Sequence, residues 1–528
     1  MKRINRNSKI RNFHQAKWDE PIIFELSKKG ERGILVPEAE EVIADEVGNG
    51  ISKIPEKLRR KQSPNLPEIS QPRVLRHYMR LSQETLGADV NIEIGQGTCT
   101  VKYSPKVNEM LARLPEVTEL HPLQDENTVQ GILEIMYKTD GFMREISGMD
   151  RFSFQSGGGS QAVMTMASII RAFHEEKGNA KQKDEVITTI YSHPSDAAAP
   201  AVMGYKIIYI HPDKDGFPDF EAFKAAVGEK TAAFIVANPE DTGVYNPRVK
   251  EFTDLIHSVG GLCGYDQANA NGLFGVTRAK EAGFDMCFFN LHKSFSTPHG
   301  CGGPAVGAVG VVKELEKYLP APLVDYDKDK YFLNYDICRN SFNIGKVRMF
   351  NGVAPVVVKA YAWIMALGAE GLYEVAKVAV LNNNYLFKKL MEVECIDAPY
   401  IRGEQRIEQV RYTLEKLAED TGISTGDIQR RMMDFGMHYW TSHHPYYIPE
   451  PMTLEPTETP SKEDLDEYIE TLKHILQEAY ESPEIIKTAP HRSVCHQVDE
   501  TSLDEPDEWG VSWRSYLRKS ESIDKKGW

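Results

Sequence analysis

Lys293 follows the short apolar run Met286-Cys287-Phe288-Phe289. It lies in the segment Asn290 to Gly303, which is rich in small residues and glycines and also carries His292 and His299. At the end of a buried strand, desolvation lowers an amine's pKa and frees its nucleophile, which suits Schiff-base formation. The plainer alternative is an ordinary loop lysine, and the rest of the chain bears on the choice. His193 follows the apolar run ending at Ile190, and Asn238-Pro239 follows the run ending at Val236. Asp266, with Asn269 and Asn271, follows the run ending at Tyr265. Upstream, Ser156-Gly157-Gly158-Gly159-Ser160 opens into the apolar segment Gln161 to Phe173. Free backbone N–H groups and the positive end of a helix dipole make such a loop an anion site, although a glycine-rich loop alone is also a common connector. An amine, a carboxylate, an imidazole, an amide and a phosphate loop are together the set that pyridoxal phosphate (PLP) requires. In this reading Lys293 forms the Schiff base, Asp266 keeps the pyridine nitrogen protonated and His193 stacks on the ring. Residues Ser156 to Ser160 hold the phosphate, with Asn238, Asn269 and His292 as further cofactor contacts.

The elements that must position these groups follow from hydrophobic period. Short apolar runs recur at Val186–Ile190, Ile207–Ile210, Ala233–Val236, Leu262–Tyr265 and Met286–Phe289, separated by helical patterns. In the clearest helix Asn246 is expected as N-cap and Pro247 as first helical residue. Val249, Phe252, Leu255 and Ile256 share one face, and Gly260 stops it. Residues Thr128 to Ile146 read as another helix. Strand–helix alternation predicts an α/β fold with a mostly parallel sheet covered on both faces. Such sheets bind ligands beyond the carboxyl ends of their strands, where the polar residues above stand.

At 528 residues and 41% hydrophobic content the chain can bury a large core. A net charge of −15 argues against a nucleic-acid binder, and the absence of a long apolar run argues against a membrane span. The cysteines Cys99, Cys263, Cys287, Cys301, Cys338, Cys395 and Cys495 form no CxxC pair, which fits a reducing cytoplasm. His443-His444 lacks further metal ligands at suitable spacing, and no metal is expected. The loop Gly95 to Tyr103 is expected to be tight, structural or pocket-lining.

Several stretches resemble the C-terminal-half (subunit 2) type of the decarboxylating glycine dehydrogenases, the P-protein family of the glycine cleavage system. They are Phe24-Glu25-Leu26-Ser27, Arg76 to Gln83, Gly97 to Thr100, Ala112-Arg113-Leu114-Pro115, His121-Pro122, Asn290 to Gly303, Leu454 to Thr459 and Thr488-Ala489-Pro490-His491. The resemblance covers roughly residues 21 to 500. It implies a fold-type-I PLP-dependent transferase fold, with a seven-stranded sheet in the large domain and a smaller α+β C-terminal domain. It also implies Lys293 as the PLP lysine and an oxidoreductase reaction. Glycine bound to PLP is decarboxylated and its aminomethyl group passes to the lipoyl arm of the H-protein. A homologue of glycine dehydrogenase subunit 1 is the implied partner, in a heterotetramer or a homodimer. His299 and His121 are acid/base candidates that could equally be loop-fixing residues.

The chain departs from the family pattern in three places. Gln155 to Val163 lacks the Gly-Glu of the usual phosphate loop. Tyr191-Ser192-His193-Pro194-Ser195-Asp196 stands where the family tends to have Ser-Ala-His-Gly-Thr-Asn-Pro. The Arg-x-Cys-x-His-Glu-Phe stretch is not visible around Arg402 to Val410. These departures keep a second enzyme reading open, a PLP-dependent lyase or decarboxylase acting on another amino acid. A non-enzymatic scaffold is the third reading, and the PLP residue set speaks against it. The expected domains are an extended arm over 1–95, a PLP-binding domain over 96–338, a smaller domain over 339–500 and a tail over 501–528. Long helices are expected over Phe350–Gly368 and Val375–Leu390, and another is capped by Ser461 with Asp464 at its third position.

Overall fold

Residues Ala232 to Ala237 and Met286 to Phe289 are apolar at consecutive positions, so each strand must bury both faces. In the computed structural model they do. Phe234, Val236, Cys287 and Phe289 join one hydrophobic cluster, while Ala233, Ile235, Met286 and Phe288 join another. The structure describes residues 10–48, 50–62, 64–85, 92, 94, 103–299, 302–400, 405–438, 447–494, 497, 505 and 509–524. Gly95 to Thr100, His443 and His444 lie outside the described residues.

Seven strands form the main sheet: β1 (Arg151–Ser156), β2 (Glu185–Thr189), β3 (Lys206–Ile210), β4 (Thr231–Ala237), β5 (Leu262–Asp266), β6 (Met286–Asn290) and β7 (Gly307–Val311). Their order is β1-β7-β6-β5-β4-β2-β3. Strands β2 to β6 run parallel, and β7 runs antiparallel to both β6 and β1. This is the expected mostly parallel α/β sheet.

The helix Gly159–Glu176 buries Val163, Met166, Ile169 and Ile170 against the sheet. The helix expected near Asn246 begins later, at Val249, with Arg248 as its N-cap. Asn246 is already committed: its N–H donates to Asn238 Oδ1 at 2.8 Å and its carbonyl accepts from Asn238 Nδ2 at 3.1 Å. It holds a turn below the strand end rather than capping the helix. The two helices expected over 350–390 form one run, Ala354–Leu390, interrupted where Gly368 takes the left-handed φ of 65°.

The C-terminal residues build their own core. Val410–Thr413 pairs antiparallel with Pro451–Leu454. Leu465, Ile469, Leu472 and Ile475 of the helix Lys462–Glu481 pack with Val410, Tyr412 and Met452. The expected Ser461–Asp464 capping box is present, with both reciprocal bonds made.

The chain divides into two compact units. One joins residues 1–11 to 88–487 and contains the sheet and the C-terminal core. The other joins 12–87 to 488–528. In the second, Glu20 accepts from His77 at 2.9 Å and from Arg80 at 3.0 Å. Phe24 stacks on Trp513 at 5.0 Å between ring centroids, so the tryptophan-bearing tail is tied to the N-terminal arm. Among the described residues no helix is long and apolar enough to cross a membrane.

Candidate active site

A parallel strand ends by directing its last side chains toward the carboxyl edge of the sheet, and here four neighbouring strands do so together. One cleft is lined by Tyr191 and His193 beyond β2, Asn238 and Asp241 beyond β4, Asp266 and Asn269 at and beyond β5, and Lys293 beyond β6. Glu408 and Gln409 close it from the C-terminal part of the chain. Lys293 is only 6% exposed, held in a turn in which its N–H donates to the Asn290 carbonyl at 3.0 Å.

The other expected residues take distinct places. Asp266 accepts from the Ala268 N–H at 2.8 Å through Oδ1. His193 Nδ1 lies 2.7 Å from Ser195 Oγ and accepts the Ser195 N–H at 3.1 Å, which fixes the plane of its ring. Asn238 faces the cleft, but its side-chain amide is spent on the backbone of Asn246. Asn269 is a hub: its Nδ2 donates to Glu455 at 2.6 Å and to Glu408 at 3.2 Å, and its Oδ1 accepts from Ser294 Oγ at 3.0 Å. That last bond ties the lysine segment to the end of β5. His292 and His299 stand edge to face at 4.5 Å. Burial, with the charge of Lys293 adding to it, lowers the pKa of both, to about 3 at His292. His121 is elsewhere. It lies on an exposed turn, where its Nδ1 accepts from the Leu123 N–H at 3.1 Å, and it does not line this cleft.

The glycine loop leaves β1 and enters the helix Gly159–Glu176, whose first N–H groups have no acceptor within the helix. Side chains at these positions would collide with neighbours. A Cβ on Gly157 would lie 1.9 Å from Arg348 Nη1, and one on Gly159 would lie 2.9 Å from Asn290 Nδ2. Ser156 Oγ is turned inward, 3.0 Å from Thr165 Oγ1, while Ser160 is exposed. The Gly157 N–H already donates to Gln161 Oε1 at 2.6 Å, so the loop offers backbone donors from Gly158 to Ser160, with the exposed Arg348 guanidinium close by.

Sequence reasoning missed four charged groups of this site. Asp241 is ion-paired to the wholly buried Arg411 at 2.9 Å. Glu408 is buried at a left-handed φ of 68°, an unusual and strained conformation for a glutamate. Burial pushes its carboxyl up to about 7, against the hydrogen bonds from Gly272 and Asn269 and the charge of Lys293. Asp196, at the start of the helix Ser195–Val202, is wholly buried beside Asp266. Arg348 came with no local signal. For Glu408 the only hint was negative: it falls where the family's Arg-x-Cys-x-His-Glu-Phe stretch is not visible.

These residues fit PLP. The cleft supplies a buried amine, a carboxylate for a ring nitrogen, an imidazole and a nearby backbone cradle. Among the described residues the buried Asn290 Oδ1 and His292 Nδ1 meet no hydrogen-bond partner, which leaves polar capacity beside the lysine.

Comparison with known proteins places the chain in a family. Residues 147–324 match the aminotransferase class-V model, and residues 375–493 match the glycine dehydrogenase, C-terminal domain model. A protein of Pyrococcus abyssi named "Probable glycine dehydrogenase (decarboxylating) subunit 2" is 42% identical over 511 residues, covering 96% of this chain and 99% of its own. Its namesake from Thermococcus kodakarensis is 43% identical over 513 residues, covering 96% and 99%. The crystal structure of an inhibitor-bound glycine decarboxylase (P-protein) of the glycine cleavage system superposes with a TM-score of 0.68 at 22% identity, covering 84% of this chain and 100% of that one. A sphingosine-1-phosphate lyase from Burkholderia pseudomallei superposes with a TM-score of 0.57 at 10% identity, covering 83% and 96%. These two share the fold of this chain. The chain belongs to the glycine dehydrogenase (decarboxylating) subunit 2 family.

Proposed function

We propose that the chain is the PLP-bearing subunit of a decarboxylating glycine dehydrogenase. In the reaction the bond between the two carbons of glycine breaks, CO2 leaves, and the aminomethyl carbon bonds to one sulfur of an oxidised lipoyl disulfide carried by the H-protein. The other sulfur takes the electron pair and a proton and becomes a thiol. The observation that carries this reading is the convergence of Lys293, Asp266 and His193 from three strand ends on one cleft. PLP, when bound, supplies the electron sink that such a carbon–carbon cleavage demands.

The chain's own residues do the rest. Lys293 provides the amine that holds the cofactor covalently. Asp266 holds a proton on the ring nitrogen, and His193, its plane set by Ser195, covers the ring face. Backbone N–H groups of Gly158 to Ser160, together with Arg348, take the phosphate. Glu408 is ready to exchange a proton near neutrality beside Lys293. His299 is kept neutral by burial and stands as a proton acceptor beside His292. His121 has no part in this scheme. The partner is a homologue of subunit 1, and the cleft is where the lipoyl arm must arrive.

The test is the visible absorbance of bound PLP in wild type and Lys293→Ala, followed by release of labelled CO2 from carboxyl-labelled glycine with subunit 1 and lipoylated H-protein present. Wild type should show the band and the release, and the mutant neither. A band indifferent to glycine with both partners added would transfer the chain to another amino-acid substrate. No PLP uptake at all would end the enzyme reading.

A further inference from the structure

Asp196 is wholly buried, and among the described residues neither of its carboxyl oxygens meets an N–H or O–H donor. What it meets is the carboxyl group of Asp266. Asp266 has its own backbone donor, the Ala268 N–H on Oδ1 at 2.8 Å, whereas Asp196 is given none. Two carboxylates in contact away from water cannot both stay ionised, because neither solvent nor a dedicated cation offsets their repulsion, and one proton must lie between them. Burial comes first, and the charge of Asp266 second, in pushing Asp196 well above the usual carboxylate range. Lys293 opposes that rise and Asp241 adds to it. The asymmetry of donors places the proton: Asp266, served by a backbone N–H, carries the charge, and Asp196 carries the hydrogen.

We propose that Asp196 is a positioning residue that donates its carboxyl proton to Asp266, so that the pair presents a single negative charge to a protonated ring nitrogen in the cleft. This rests on the reading of Asp266 as the partner of that nitrogen. The chain has an aspartate here where the family tends to have the asparagine of Ser-Ala-His-Gly-Thr-Asn-Pro. An amide would donate a similar bond at every pH. The carboxyl donates only while it keeps its proton, so this chain's version of the contact is titratable.

The sign follows from linkage. A carboxyl whose folded pKa is raised stabilises the fold fully below its unfolded value and progressively less as pH rises toward the folded value. The experiment is a denaturation midpoint series on the full chain from about pH 5 to about pH 9, for wild type, Asp196→Asn and Asp266→Asn, each stripped of PLP and reloaded. Relative to wild type, Asp196→Asn should gain stability steadily as pH rises, and its advantage should shrink toward the acid end. Asp266→Asn, which removes the like charge, should flatten the profile in the same sense and serves if the first variant folds poorly. Three profiles that run parallel across the range would overturn the proposal. PLP uptake by the wild type, read from its visible absorbance, tests the site separately. A chain that takes up no PLP contradicts the role of Asp266, while the stripped-protein profiles still decide whether the carboxyls share a proton.

Discussion

At the scale of single residues, this site is built largely from buried acids. Glu240 follows the cis Asn238–Pro239 peptide and is 5% exposed, with Thr189 donating to its carboxylate. Burial pushes its carboxyl up to about 8, the Thr189 hydrogen bond works against that, and the charge of Asp241 adds to it. Because the folded value exceeds the unfolded one, the protein binds a proton on folding between roughly pH 4.5 and pH 8 and loses stability as pH climbs through that window. Replacing Glu240 by Gln keeps an acceptor for Thr189 and removes the titration. The variant should be more stable than wild type at pH 8 by about 4 kcal/mol, with the gain fading toward pH 4.5, as read from denaturant midpoints. Glu240 does not line the cleft, so its effect separates the general cost of a buried acid from the specific coupling at Asp266.

At the scale of elements, the phosphate loop is shaped by what presses on it. Strand β7 runs antiparallel beside β1 and puts Gly307 under the loop, where a Cβ would stand 2.7 Å from the Gly158 carbonyl and 2.8 Å from Ala162 Cβ. Both neighbours are rigid, one being backbone and the other a methyl in a packed helix. Gly307→Ala should therefore cost about 1–3 kcal/mol of stability, and by lifting Gly158 it should weaken PLP binding as well, measured by cofactor titration against visible absorbance. Gly157→Ala differs in kind. Its clash is with the tip of the exposed Arg348, which can swing away, so its effect should fall on phosphate affinity more than on folding.

At the scale of the whole molecule, the Pyrococcus and Thermococcus relatives match this chain over nearly its full length and theirs, and "subunit 2" in their names implies a second chain. Mixing the protein with a subunit 1 homologue should give a larger species by size-exclusion chromatography with multi-angle light scattering. Glycine decarboxylation should require both chains, and a chain that decarboxylates glycine fully by itself would contradict this. The tail, stacked through Trp513 on Phe24 within the smaller unit, links the two ends of the chain.

Much was legible in the amino-acid sequence alone, and the reason is local. Runs such as Ala233–Val236 and Met286–Phe289 are apolar on both faces, and only a doubly covered sheet can bury them. Ser461 and Asp464 satisfy each other's caps within four residues. Lys293, Asp266 and His193 each sit just past such a run, so strand-end geometry predicts their convergence before any coordinate is known. The helix start near Asn246 was misplaced because Asn238, eight residues away, claims that backbone first. Glu408 comes to the cleft from a segment more than a hundred residues beyond Lys293, and no period or motif marks it. Arg348 reaches Gly157 from another segment outside the strand–helix pattern. Asp196 was visible as a residue, yet nothing local says that its carboxyl ends against that of Asp266. Hydrophobic period and capping act over a few residues and are written in the chain. Which acids share a proton depends on distance and burial, and those exist only once the chain has closed on itself.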